Sequence, residues 1–597
     1  MRRHVLSALI AILVMAAPAP GQVEFLEESF DYDQDQPAVG HWLGNIQVGA
    51  NPPTWGALVI ECDEEGEWSA SITLIAAVAL GAPCTGILIE DRSVSLMLPA
   101  SGEPRMSGTV SADGQRLAGS LTFGAPRADH PLMGTFELAR TPRTTDLPAM
   151  HAYTGELRGP GLPPMAMIFV FAQTPGGNWV GHMDVPAQGL LGFPLINVKR
   201  SNAAIIAEVA SVPFPATLEG TFDETERRLT GRFKQGPYDL EVDFALDEGY
   251  AGPTFNRPQH PKPPYPYAAQ DVTIQHPDGH VLAGTLTVPN GDGPFPAAVL
   301  ITGSGPQDRD ETILGHKPFL VIADHLTRHG IAVLRFDDRG VGGSTGSFGG
   351  ATTEDLAGDV VAAMTFLGTV EAVDPARVGL IGHSEGGLIA PMVASQDEGV
   401  SFIVLLAGPG VRGDDLLRVQ GKLILEAGGA DEETIARTRL QQEKFFELVL
   451  SNADEKTLRE ALRPMIEAEL AAMGMEGEQS EQLEQMLEAQ TRLQASPWMR
   501  YFITYDPRPA LGNVRCPVLA LNGTLDLQVW HEQNLPEIEK AIKEAGGDVT
   551  VRRYENLNHL FQPAETGSIT EYGVIEITFD ERVLEDMVAW IKSKTGR

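Results

Sequence analysis

The chain has 597 residues, 43% of them hydrophobic and 21% charged, a globular composition too long for one compact core, so roughly two or three domains are expected. Its 80 Asp and Glu against 44 Lys and Arg give a net charge of -36, which repels a phosphate backbone or an anionic membrane surface and argues against nucleic acid as a partner.

Met1-Arg2-Arg3-His4, the apolar run from Val5 to Ala17 and then Pro18-Ala19-Pro20-Gly21 carry the basic, apolar and small-residue parts of a secretory signal. The run is shorter than the about 20 residues that cross a bilayer. Cleavage after Gly21 is expected, and no neighbouring Cys suggests a lipid anchor. The expectation is an exported protein, periplasmic or secreted, with no integral membrane segment in its mature form. There are only three cysteines, at 62, 84 and 516, so this is no disulfide scaffold; Cys62 and Cys84 could pair in an oxidising compartment or stay as thiols.

Residues 23 to about 250 consist of short alternating segments punctuated by Gly and Pro, such as Leu117-Ala118-Gly119-Ser120-Leu121-Thr122-Phe123, which read as strands. The region also resembles itself at an offset of about 111 residues. Trp42-Leu43-Gly44 falls against Tyr153-Thr154-Gly155, Gly108-Thr109-Val110 against Gly220-Thr221-Phe222, and Arg116-Leu117-Ala118-Gly119 against Arg228-Leu229-Thr230-Gly231. Two similar β modules are expected, at 23–140 and 150–250, since solenoid and propeller units run only about 20 to 50 residues. Neither contains a His and carboxylate cluster at ligand spacing, so no chemistry is assigned to them. The prolines of 253–266 then read as a stiff extended linker.

From residue 271 the pattern changes. Val272-Thr273-Ile274, an Asp278-Gly279 turn and Val281 to Val288 read as an antiparallel pair. Strands and helices alternate thereafter: strands at Ala297 to Ile301, Ile331 to Phe336, Val378 to Ile381, Phe402 to Leu406, Val518 to Leu521 and Val549 to Tyr554, with helices between them. That rhythm implies an α/β, doubly wound, mostly parallel sheet over 271–597, interrupted at about 412–505 by an acidic helical insertion.

Two segments fit the expression Gly-x-Ser-x-Gly: Gly342-Gly343-Ser344-Thr345-Gly346 and Gly382-His383-Ser384-Glu385-Gly386. The nucleophile of this motif sits on a sharp turn from strand to helix. Ser384 follows the strand ending at Ile381 and precedes the apolar helix beginning near Leu388, whereas Ser344 lies in a Gly-rich loop with no helix until after Thr352. A serine needs a base, and the base an orienting acid, in the chain order Ser, Asp, His. Asp526 and His559 each follow a predicted strand; His531 is the rival base, but no strand presents it after the acid. For the developing oxyanion, the amide of Glu385 is one expected donor and the amide of Ser304, in Thr302-Gly303-Ser304-Gly305-Pro306, the other, with Gly305 second.

These residues, with Gln307-Asp308-Arg309-Asp310-Glu311, Arg335-Phe336-Asp337-Asp338-Arg339-Gly340, Asn522-Gly523 and Asn558-His559, resemble bacterial α/β-hydrolases related to the serine aminopeptidases, prolyl oligopeptidases and carboxylesterases. The resemblance covers 271–597 and implies the α/β-hydrolase fold with a helical cap at 412–505, a structural role for Ser344, and catalysis by Ser384, Asp526 and His559 with no metal or organic cofactor. The expected substrate is a small ester or a short peptide-like molecule. Ester hydrolysis is preferred because no propeller of the prolyl oligopeptidase kind precedes the domain; amide hydrolysis is the alternative, and a non-catalytic binding protein the third reading.

Overall fold

The computed structural model describes residues 28–596 apart from stretches within that span, the longest at 123–132 and 473–482. The expected signal segment lies outside the described residues. Among those described, no helix is long and apolar enough to cross a membrane. The chain divides into two compact units, Met1–Thr254 with Leu462–Gln490, and Phe255–Ala461 with Thr491–Arg597.

The first unit holds two antiparallel meanders. Residues 151–246 form a closed eight-stranded barrel, in which Tyr153 and Thr154 of the first strand pair with Leu246 and Ala245 of the last. Its final strand, Tyr238–Leu246, shows why: Leu240, Val242 and Phe244 point inward while Asp239, Glu241 and Asp243 point to solvent, the period-two alternation of a half-buried strand. Residues 40–141 form a nine-stranded sheet whose first and last strands, Gly40–Val48 and Met133–Thr141, also pair. The long barrel strand Leu190–Ser201 has two short counterparts here, Ala79–Pro83 and Thr85–Glu90, which are the two edges of the sheet. The internal repeat is visible in the register: Gly108 faces Gly119 in one meander and Gly220 faces Gly231 in the other. A Cβ on Gly119 would lie 2.5 Å from the Gly108 Cα, and one on Gly231 2.8 Å from the Gly220 Cα, so both copies need glycine for the same close approach. Cys62, Cys84 and Cys516 are free thiols.

The second unit is built on one sheet of eight strands: β1 (Ala268–Gln275), β2 (Val281–Val288), β3 (Phe295–Ile301), β4 (Ala332–Phe336), β5 (Val373–His383), β6 (Ile403–Leu406), β7 (Val518–Gly523) and β8 (Val549–Tyr554). Their spatial order is β1-β2-β4-β3-β5-β6-β7-β8. β1 and β2 are antiparallel to their neighbours and the rest are parallel. β3, β4, β6 and β7 are buried along their whole length, hence their largely apolar sequences. On one face Ala297, Val299 and Ile301 pack with α2 (Thr353–Leu367), α3 (Gly386–Ala394) and the helix His531–Glu544. On the other, Ala298 and Leu300 pack with α1 (Pro318–Arg328) and the last helix, Glu581–Thr595. α2 begins at a capping box, in which Thr352 and Asp355 each bond the other's backbone amide.

Between β6 and β7 stand helices Gly413–Ala427, Glu432–Leu450, Glu455–Ala472 and Pro497–Thr504. The proline-rich segment is tied down along part of its length. Arg257 donates to the carbonyls of Leu314, Gly573 and Ile575, and Gln259 bonds both Thr578 and Phe579, so residues 255–260 belong to the second unit and do not act as a free spacer.

Candidate active site

Ser384 stands between β5 and α3 with φ +52°, a left-handed conformation that costs a non-glycine residue roughly 1–3 kcal/mol and persists only where the surroundings impose it. The surroundings are tight. A Cβ on Gly382 would lie 2.0 Å from the Gly386 carbonyl oxygen, one on Gly386 2.2 Å from that of Ile301, and one on Gly387 2.5 Å from the Gly408 Cα. The Ser384 amide donates to the Leu406 carbonyl of β6 at 2.9 Å.

Asp526, fully buried after β7, accepts from His559 Nδ1 at 2.9 Å through Oδ2, and its Oδ1 accepts the amides of Gln528 and Val529. Neither loop is left to chance. Asn522 Nδ2 donates to the Val529 carbonyl across the Asp526 turn, and Asn558 Oδ1 accepts the amides of Leu560 and Gln562, both just after His559. These two asparagines stood in the sequence motifs with no stated task; their task is to shape the loops. The ring of His383, the residue before Ser384, lies 4.8 Å from that of His559, centroid to centroid. A Cβ on Gly303 would meet the Ser384 Cβ at 3.2 Å, which puts the loop after β3 directly against the serine.

In that loop the Gly303 amide is committed to Glu311 Oε1 at 2.7 Å, while Ser304 is exposed and Gly305 holds φ +95°. Asp338 staples the loop from below, accepting from Thr302 Oγ1 and from the Gln307 amide. Burial pushes its carboxyl well above the ordinary range. Glu385 turns its side chain away from solvent, where Thr353 Oγ1 donates to it at 2.6 Å and the Trp498 indole N–H reaches both carboxylate oxygens, at 2.8 and 3.0 Å. Burial raises its carboxyl, opposed by these two bonds and by one from Ser304. Trp498 therefore joins the helical insertion to the residue after Ser384, a link that no sequence pattern signalled.

Ser344 is fully occupied elsewhere: its hydroxyl donates to the Asp337 carbonyl at 2.7 Å and accepts the Ala283 amide at 2.9 Å. His531 is the first residue of a helix and pairs with no carboxylate among the described residues; burial, and then the positive Arg553, lower its pKa. His276, His280 and Asp359 hold ligand-type atoms within 4.8 Å of one another. A cation does not suit them. Arg339 occupies both oxygens of Asp359, and His276 Nδ1 accepts the Asp278 amide, which leaves the proton of a neutral ring on the Nε2 that would have to bind the metal.

The family profile of the X-Pro dipeptidyl-peptidase (S15 family) matches residues 278–551. Over 335 residues the chain is 27% identical to esterase EstD of Thermotoga maritima, covering 55% of this chain and 68% of that protein. These matches support an α/β-hydrolase serine hydrolase family for this chain. A Mycobacterium tuberculosis protein of uncharacterised function is 34% identical to the hydrolase over 129 residues, 22% of this chain and 42% of that one. Among solved structures, a Pyrococcus furiosus esterase aligns at TM-score 0.35 and 15% identity, over 58% of this chain and 100% of that chain.

Proposed function

We propose that the chain hydrolyses carboxylic esters, with Ser384 as nucleophile, His559 as general base and Asp526 as the acid that orients it. The observation that carries this reading is the convergence of a serine on a left-handed turn with a buried Asp526–His559 pair, 2.9 Å between Oδ2 and Nδ1. Ser384 Oγ attacks the acyl carbon while His559 Nε2 takes its proton and passes it to the departing alkoxide. Asp526 fixes Nδ1–H, so that Nε2 is the lone pair that faces the serine, and stabilises the imidazolium that forms. The amides of Glu385 and Ser304 receive the charge on the carbonyl oxygen; one such donor is worth roughly 3 kcal/mol. Water then enters as the second nucleophile through the same groups and releases the acid.

The similarity to an esterase supports esters, and the match to a dipeptidyl-peptidase family profile supports a second reading in which the same three residues cleave amides. A comparison of p-nitrophenyl esters of increasing chain length with aminoacyl and X-Pro p-nitroanilides decides between them. Higher kcat/KM on the esters is the expected result, and higher kcat/KM on the anilides would overturn the ester assignment. In either case Ser384→Ala should abolish labelling by a fluorophosphonate.

A further inference from the structure

A buried ion pair adjoins Ser384 and takes no part in the steps above. His383, the last residue of β5, donates from Nδ1 to Glu311 Oε1 at 2.8 Å and from Nε2 to the backbone carbonyl of His559 at 3.0 Å. The carbonyl can only accept, so Nε2 carries hydrogen; with Glu311 as a carboxylate Nδ1 carries one as well, and the ring is an imidazolium. Burial works against that charge, but the Glu311 carboxylate, its hydrogen bond, the His559 carbonyl and the negative Asp526 outweigh it and hold His383 above the ordinary histidine range. Glu311 is itself buried and sits at φ +53°; the same Oε1 accepts the Gly303 amide. One carboxylate and one ring thus tie together three loops: the one after β3 that carries Ser304, the turn that carries Ser384, and the one after β8 that carries His559.

We propose that the His383–Glu311 pair is a positioning device for this reaction, fixing the His559 backbone and the Ser304 loop relative to Ser384 and balancing the charge beside the base. The proposal rests on the serine hydrolase reading. As a charge pair alone, His383–Glu311 would add little, since a buried ion pair gains little over two apolar residues of similar volume. They could not bind the Gly303 amide or the His559 carbonyl. The charged groups that face His383 are Glu311 and Asp526, with the His559 ring alongside. Replacing His383 alone leaves Glu311 as an unbalanced negative charge next to His559, which stabilises the imidazolium form of the base and moves the acidic limb of the pH–rate profile upward.

The test uses the full chain with p-nitrophenyl acetate and a fluorophosphonate probe, across the pH range of activity, for His383→Gln, Glu311→Gln and the double variant. His383→Gln should lower kcat roughly 10- to 100-fold, with KM within about threefold, and shift the acidic limb up by roughly half to one pH unit. The double variant, electrically neutral, should return the limb to its wild-type position while kcat stays at least about fivefold low. If His383→Gln does not fold, the double variant carries the decision. A low kcat with unchanged KM supports the proposal, and a wild-type rate overturns it. An unmoved limb in a folded His383→Gln also overturns it. A wild-type protein that the probe does not label refutes the hydrolase reading instead, so the two failures are distinct.

Discussion

Replacing each of the two motif serines by alanine separates the proposed nucleophile, Ser384, from Ser344. In Ser344→Ala the Ala283 amide and the Asp337 carbonyl lose partners at 2.9 and 2.7 Å in a site only 7% exposed. An unsatisfied buried polar group costs roughly 1–3 kcal/mol, and with partial relaxation the pair should cost roughly 2–4 kcal/mol. In a domain of this size that lowers Tm by roughly 3 to 6 °C. At a temperature where the variant is still folded, its rate of fluorophosphonate labelling should stay within about threefold of wild type, because Ser344 holds β2 to the Asp337 turn and touches no reacting atom. Ser384→Ala should do the reverse: its backbone bond to Leu406 survives, alanine and serine pay similar strain at φ +52°, and Tm should move little while labelling vanishes. Thermal unfolding followed by circular dichroism, with gel-based labelling on the same samples, reads both quantities. A folded Ser344→Ala that no longer labels, or a Ser384→Ala that still does, would refute the reasoning.

Trp498→Phe keeps the ring stacked on Phe502, whose centroid lies 5.2 Å away, but removes the indole N–H from Glu385. Losing a hydrogen bond to a buried charged group, roughly 1.5–3 kcal/mol, should loosen the turn after Ser384 and lower kcat on p-nitrophenyl acetate roughly tenfold, with KM little changed; an unchanged kcat would remove the link between insertion and active site. In the barrel, His182 donates to Tyr250, which donates to buried Asp184, and burial lowers His182 to about 4. The unfolded chain binds this proton near 6.5 and the folded barrel only near 4, so stability is complete above pH 6.5 and falls as the pH drops through that window. The loss approaches roughly 3 kcal/mol at pH 4, and urea unfolding of His182→Gln, which keeps the donor but cannot take up a proton, should show a correspondingly weaker acid dependence.

Much of the hydrolase unit was legible because its signals are local. Runs such as Ala297-Ala298-Val299-Leu300-Ile301 are apolar throughout because both faces of the parallel strand are covered, and Thr352 with Asp355 spells a helix start in neighbouring residues. The repeat of the β region was legible for the same reason, since each glycine pair lies within one hairpin. That one copy closes into a barrel while the other splits its long strand into two edges was not: both copies pair their first strand with their last, and they differ at the break between Ala79–Pro83 and Thr85–Glu90, where the open sheet loses the neighbour-to-neighbour pairing that the unbroken Leu190–Ser201 keeps in the barrel.

At the site the sequence alone determined which residue types were present, their order, and which of two identical motifs follows a strand and opens a helix. Only the tertiary structure decided what they do to one another. It set Asp526 against His559 and not His531, occupied both sides of the Ser344 hydroxyl, and gathered Glu311, His383 and Trp498 around Ser384 from segments that share no local pattern. The physical reason is that hydrogen bonds and charge pairs act over about 3 Å of space whatever the separation along the chain, whereas strand and helix propensities act only between neighbours in sequence.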